Sequence, residues 1–126
     1  MVAALSSWHE QHAAASEAVA GVIALPAHVV LECYSVLTRL PSGLAVSPRD
    51  AASVLARRFT AAPLRAHDDD RATMIGRLAR VGVFGGAAYD GLVALEAEAA
   101  GESLLTLDRR AQVTYQRLGV EFTLIG

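Results

Sequence analysis

The stretch from Gly85 to Asp108 constrains the fold more than any other part of this chain. Two glycines, Gly85 and Gly86, lead into Ala87 to Ala100, which reads as a helix stopped by Gly101. Ser103-Leu104-Leu105-Thr106-Leu107 follows at once, a short continuous apolar run of the kind expected for a buried parallel strand, and it ends on Asp108. In open α/β sheets ligands gather beyond the carboxyl ends of the strands, so an acid just past a buried strand lies where sites form. Asp90 falls in the first turn of the preceding helix, where the macrodipole and unpaired backbone N–H groups favour a carboxylate. Asp90 and Asp108 are therefore expected to converge on one rim.

The rest of the chain alternates in the same way. Val2 to Leu5 run into a turn and helix start at Ser6 to His12, followed by the Ala-rich segment Ala13 to Ala20. His9 and His12 could share a helix face as a ligand pair, but with no further suitable ligands nearby a solvated helix end is the simpler reading. Gly21 to Leu25 reads as a short buried strand closed by Pro26, and a helix follows over Ala27 to Leu40. Val29, Val30, Cys33, Val36, Leu37 and Leu40 form its apolar stripe. Pro41-Ser42-Gly43 ends it. Ser47, Pro48 and Asp50 are a cap, a first-turn proline and a capping-box variant for a helix over Ala51 to Phe59 that ends near Ala62-Pro63.

A short strand at Leu64 to Ala66 is expected next. The acids of His67-Asp68-Asp69-Asp70 then precede the periodic run Ala72, Ile75, Leu78, Ala79, as a helix N-terminus requires. That helix stops at Gly82. After Asp108 a last helix carries Val113, Tyr115 and Leu118 to Gly119, and Val120 to Ile125 closes as a strand. Such alternation argues for a mostly parallel sheet flanked by helices.

At 126 residues the chain is one domain's length, and 53% hydrophobic residues make it apolar enough to expect a partner on some surface. No segment is long and apolar enough for a bilayer and no signal peptide is evident, so a cytoplasmic location without membrane contact is expected. The single cysteine, Cys33, excludes an internal disulfide and a cysteine-based zinc site. The net charge of −2 argues against a broadly basic nucleic-acid surface. All eleven basic residues are arginine, which suits phosphate recognition, although the Ala, Gly and Val content points to a GC-rich genome as the cause.

Gly85-Gly86-Ala87-Ala88-Tyr89-Asp90-Gly91 and Leu104-Leu105-Thr106-Leu107-Asp108-Arg109-Arg110-Ala111 together resemble the second half of a PIN-domain ribonuclease of the VapC toxin type. Glu32, in Leu31-Glu32-Cys33-Tyr34, fills the slot of that family's acid on an earlier helix. Without the resemblance Glu32 would read as a solvated edge residue. The resemblance implies a three-layer, PIN-like α/β fold over residues 1–126 as a single domain. It implies Glu32, Asp90 and Asp108 as catalytic and metal-binding acids, with Thr106 supporting them by hydrogen bonding. Arg109 and Arg110 are placed to meet substrate phosphate, and plain solvent exposure explains them equally well.

Clustered carboxylates repel, so a hard divalent ion, Mg²⁺ or Mn²⁺, is the natural relief and can activate a water against a phosphodiester. The implied partners are an RNA substrate, a VapB-type antitoxin and a second copy in a homodimer. The family pattern opens with a strand ending in Asp. That acid is expected to precede Met1, leaving the chain as given N-terminally truncated and weak as a nuclease. A PIN-like module that binds protein or RNA without cutting is the alternative. A nucleotide-binding domain lacks support, since Gly82, Gly85 and Gly86 match neither glycine-rich phosphate motif.

Overall fold

The structure, a computed structural model, describes residues 10–66 and 68–125. The expected features at Val2 to Leu5, His9 and His67, and the side chains of Asp68, Asp69 and Asp70, lie outside this description. The α/β class is as expected, with six helices and a parallel two-stranded sheet among the described residues. The chain forms two compact units, Met1–Pro63 and Leu64–Gly126.

The first unit carries α1 (His12–Ala18), α2 (Ala27–Thr38) and α3 (Pro48–Arg58). Pro26 precedes α2 at φ −53°, an angle its ring already fixes. Cys33 and Leu37, one turn apart on α2, bury against Ala51 and Leu55 of α3 together with Leu25. Ser47 Oγ accepts the Asp50 N–H at 3.1 Å, with Pro48 in the first helical position, as the sequence led one to expect. The Arg58 guanidinium donates to the carbonyl of Val22 at 2.6 Å and to that of Val19, and it lies over the Phe59 ring at 5.0 Å. One side chain thus ties the end of α3 to the segment after α1.

That segment corrects an expectation. Val22 to Leu25 forms no strand. Leu25 is buried as anticipated, but Ile23 is exposed, and the backbone makes one bond to this unit's later chain, Ala61 N–H to Ile23 O at 3.1 Å. A strand exists only through its ladder, and among the described residues of this unit none runs beside it. Leu64 to Ala66 likewise forms no strand.

The second unit contains α4 (Asp68–Arg80), α5 (Ala87–Ala99), β1 (Leu104–Thr106), α6 (Ala111–Leu118) and β2 (Phe122–Leu124). The strands pair in parallel with Leu104 opposite Phe122, Leu105 opposite Thr123 and Thr106 opposite Leu124, and α6 makes the crossover that parallel strands require. Both strands are shorter than the apolar runs that encode them. Leu105 is exposed where a wholly buried strand was expected, because the core of this unit lies on the Leu104 face alone.

Leu78, Val83, Ala94, Ala97, Leu104, Ala111, Tyr115, Leu118 and Val120 form that core. The Tyr115 and Phe122 rings meet at 5.5 Å. At Gly91 a methyl group would come within 2.5 Å of Leu78 Cδ2, so the absent side chain lets the Leu78 side chain lie against the α5 backbone.

All three longer turns of this unit use one device. At the end of α5, Gly101 takes φ +71°, its N–H bonds Glu98 O at 2.9 Å, and Glu102 N–H bonds Ala97 O at 2.9 Å. This paired closure satisfies carbonyls that a helix end leaves open, and it needs a left-handed residue that glycine supplies without steric cost. Gly82 after α4 and Gly119 after α6 repeat it, with Val83 N–H on Leu78 O and Val120 N–H on Tyr115 O. There the residues on either side of the closure are themselves core residues, so each turn is locked by packing as well as by hydrogen bonds.

Candidate active site

Asp108 stands two residues past β1 and is exposed. Its Oδ1 accepts the N–H of Arg110 at 2.8 Å and of Ala111 at 3.4 Å, so it caps the start of α6; Oδ2 is outside these bonds. Its own N–H donates to Thr106 Oγ1 at 3.0 Å. Asp108 is thereby held at two points, its backbone by a hydroxyl on the strand and its carboxylate by the opening turn of the next helix. Arg109 and Arg110 follow directly and are both exposed.

Asp90 is half-buried in the first turn of α5. Exposed Gly85 and Gly86 lead into that turn. Asp108 stands beyond the C-terminal end of β1, after the glycine closure at Gly101 that ends α5.

Glu32 belongs to the first unit. It projects from the exposed side of α2 next to buried Cys33, with its side chain 56% accessible, and its Oε1 is 3.1 Å from His28 Nε2 one turn earlier. His28 was not singled out from the sequence, although its spacing of four residues before Glu32 was a legible signal for this pair. Burial pushes the neighbouring Cys33 thiol up, away from thiolate chemistry.

A second carboxylate escaped the sequence reading. Glu96 on α5 is only 2% exposed, with Arg71 Nη2 3.9 Å from its Oε1. Six residues after Asp90, it is turned about 240° around the helix from that acid, so it belongs to the α4–α5 packing and not to the rim. Glu98 is likewise structural: Arg77 grips it through two bonds of 2.5 and 2.9 Å and also bonds Leu118 O at 3.0 Å, joining α4, α5 and α6. That hydrogen-bonded guanidinium holds the Glu98 carboxyl below its ordinary range. A cavity of about 260 Å³ lined by Thr73, Met74, Arg77, Leu95, Glu98 and Ala99 lies beside this junction.

Within either unit taken alone, the described residues bring no three His, Cys, Asp or Glu side chains together as a ready metal cage. The second unit carries two of the expected carboxylates, Asp90 in the first turn of α5 and Asp108 beyond β1, the latter with an oxygen not used in capping. These are hard oxygen donors of the kind Mg²⁺ and Mn²⁺ take, and they are unsuited to softer metals. Among the described residues no helix is long and apolar enough to cross a membrane.

Comparison with known proteins gives a consistent result. The family model for the PIN domain matches residues 1–116. Ribonuclease VapC40 of Mycobacterium tuberculosis (strain CDC 1551 / Oshkosh) is 42% identical over 125 residues, which is 99% of this chain and 93% of that protein. Ribonuclease VapC27 of Mycobacterium tuberculosis (strain ATCC 25618 / H37Rv) is 46% identical over 97 residues, 77% of this chain and 70% of its own.

Proposed function

Given that this chain belongs to the VapC-type PIN-domain family, we propose that it is a toxin endoribonuclease that hydrolyses RNA phosphodiester bonds with a divalent metal ion. In this reading Glu32, Asp90 and Asp108 supply the oxygen ligands. A bound Mg²⁺ or Mn²⁺ supplies an acidified water and polarises a phosphate oxygen. Thr106 fixes the backbone of Asp108, Asp90 supplies its carboxylate from the first turn of α5, and Arg109 and Arg110 meet the substrate's phosphates. Arginine suits that task through its fixed fork of donors. The observation that supports the reading best is Asp108 beyond the C-terminal end of β1, its Oδ1 bonded to the opening turn of α6 and its Oδ2 outside those bonds.

The acids reduce affinity for a polyanion unless the ion offsets them, so RNA binding is expected to strengthen with divalent metal. The proposal includes a cytoplasmic site of action, a homodimer, and a VapB-type antitoxin that blocks the rim; the apolar composition supports both protein contacts. Co-expression with a neighbouring short reading frame is expected to yield a complex that survives purification.

Activity is tested on a labelled single-stranded RNA with Mn²⁺, with Mg²⁺ and with a chelator. Cleavage is expected only with metal. Asp90→Asn, Asp108→Asn and Glu32→Gln are each expected to lower kcat by at least ~100-fold, the range over which positioned acid–base and ligand groups act. Asparagine at 108 retains the helix cap, so its loss of activity would not be a folding effect. Undiminished cleavage by Asp90→Asn would overturn the proposed site.

A further inference from the structure

Phe84 is 83% exposed, the most accessible large hydrophobic side chain among the described residues. One exposed ring on a surface is ordinary. This one has company. Tyr89, on the first turn of α5, is 60% exposed, and the backbone between the two rings is folded tightly by Ala88 N–H on Gly85 O at 3.1 Å and Tyr89 N–H on Gly86 O at 3.1 Å. Gly85 and Gly86 between them have open space where a side chain would start, with no atom within 4 Å. The result is two accessible rings flanking bare backbone.

Tyr89 immediately precedes Asp90, and exposed Arg109 and Arg110 directly follow Asp108, the two acids of the proposed site. A protein partner seeks a contiguous apolar face, and the residues between the rings, Gly85, Gly86, Ala87 and Ala88, offer little side-chain surface for one. A nucleobase has different needs: a flat π-face to stack on, room for its sugar beside unadorned backbone, and cations within reach of its phosphates.

We infer that Phe84 and Tyr89 are the base-stacking platform of the RNA site, seating an unpaired nucleotide beside the phosphate held at Asp90 and Asp108. The inference rests on the ribonuclease reading and adds to it a requirement for single-stranded substrate. Sequence preference from stacking is weak, so the platform sets where the strand lies, and other groups choose its bases.

The test measures anisotropy of a fluorescein-labelled single-stranded RNA with the full chain in Ca²⁺, and KM and kcat separately in Mn²⁺. Phe84→Ala and Tyr89→Ala are each expected to weaken binding about tenfold (~1.4 kcal/mol) and to raise KM with kcat at saturation nearly unchanged. Phe84→Tyr, which keeps the π-face, should restore affinity, and Phe84→Leu, which keeps only apolar bulk, should not. An abasic nucleotide at the stacked position should erase the difference between wild type and Phe84→Ala. Phe84 is exposed, so an unchanged melting temperature is expected for Phe84→Ala and would separate its effect from misfolding. RNA affinity indifferent to Phe84→Ala, or equal in Phe84→Leu and wild type, overturns the platform while leaving the nuclease intact. A change confined to oligomer size or antitoxin binding overturns it in favour of a protein interface. Wild-type protein that neither binds nor cuts RNA removes the ribonuclease reading itself.

Discussion

The two units bury similar kinds of side chain but hold their helices by different means. In Leu64–Gly126 each of the three helices ends on a left-handed glycine, and the residues flanking the closures at Gly82 and Gly119 enter the core themselves. In Met1–Pro63 no described helix ends this way; the residues following α1, α2 and α3 are Val19, Arg39 and Phe59, all with negative φ. There the Arg58 guanidinium joins the last turn of α3 to the chain before α2. One unit adds a local backbone closure, repeated three times, to its core and its arginine bonds, whereas the described helices of the other rely on a long side chain and helix-on-helix packing. The difference bears on the acids: Asp90 and Asp108 sit on elements fixed locally, whereas Glu32 rides on a helix whose placement depends on what it packs against.

The strongest way to sharpen this contrast is to empty the core of the second unit. Leu118→Ala removes a buried side chain near Gly91 and is expected to cost ~3 kcal/mol, read as a lowered denaturation midpoint. A cost under ~1 kcal/mol would mean that this core is not close-packed. Next is the tie in the first unit. Arg58→Ala leaves the carbonyls of Val19 and Val22 without the guanidinium, an expected loss of about 2 kcal/mol.

Cys33 reports on that loss directly. The thiol is buried and burial raises its pKa, so reaction with a thiol reagent requires the unit to open. Arg58→Ala should speed labelling of Cys33, and Leu118→Ala should speed it less. Equal acceleration by both would break the contrast by showing that the units open together.

Sequence reading found the features encoded within a few residues. Gly82, Gly101 and Gly119 each follow an apolar period, and Ser47-Pro48 carries its own capping chemistry, so those boundaries were legible. The positions of the two acids along the chain were legible for the same reason, Asp90 in the first turn of α5 and Asp108 just past β1. What failed depended on partners remote in sequence. Val22 to Leu25 has strand composition, yet a strand needs a neighbour that composition does not reveal. Nothing near Glu96 in sequence marks it for burial, and Arg71 and the buried face of α5 meet it only in the fold. The exposure of Phe84 is equally invisible in its sequence neighbours.

Smaller effects refine the comparison. Gly119→Ala forces a side chain into φ +71° and is expected to cost ~1 kcal/mol. The same substitution at exposed Gly21, with open space around it, should be close to neutral. The smallest effect is electrostatic. Because Arg77 lowers the Glu98 carboxyl from its ordinary 4.5, the ion pair stabilises the fold above that pH and is lost as pH falls below it. The pair is partly exposed, so screening limits it to ~0.5 kcal/mol. Arg77→Gln should flatten the acid limb of the stability–pH curve by that amount, and a further loss that is the same at every pH would be assigned to the bond with Leu118 O.

The carboxylate at 108 serves two masters. The oxygen that starts α6 is useful to any chain of this fold, whether or not it cuts RNA, so a lineage that had abandoned cleavage would still gain by keeping Asp or Asn there. Among descendants of such a chain, retention of Asp or Asn at 108 would record the persistence of a helix and nothing more.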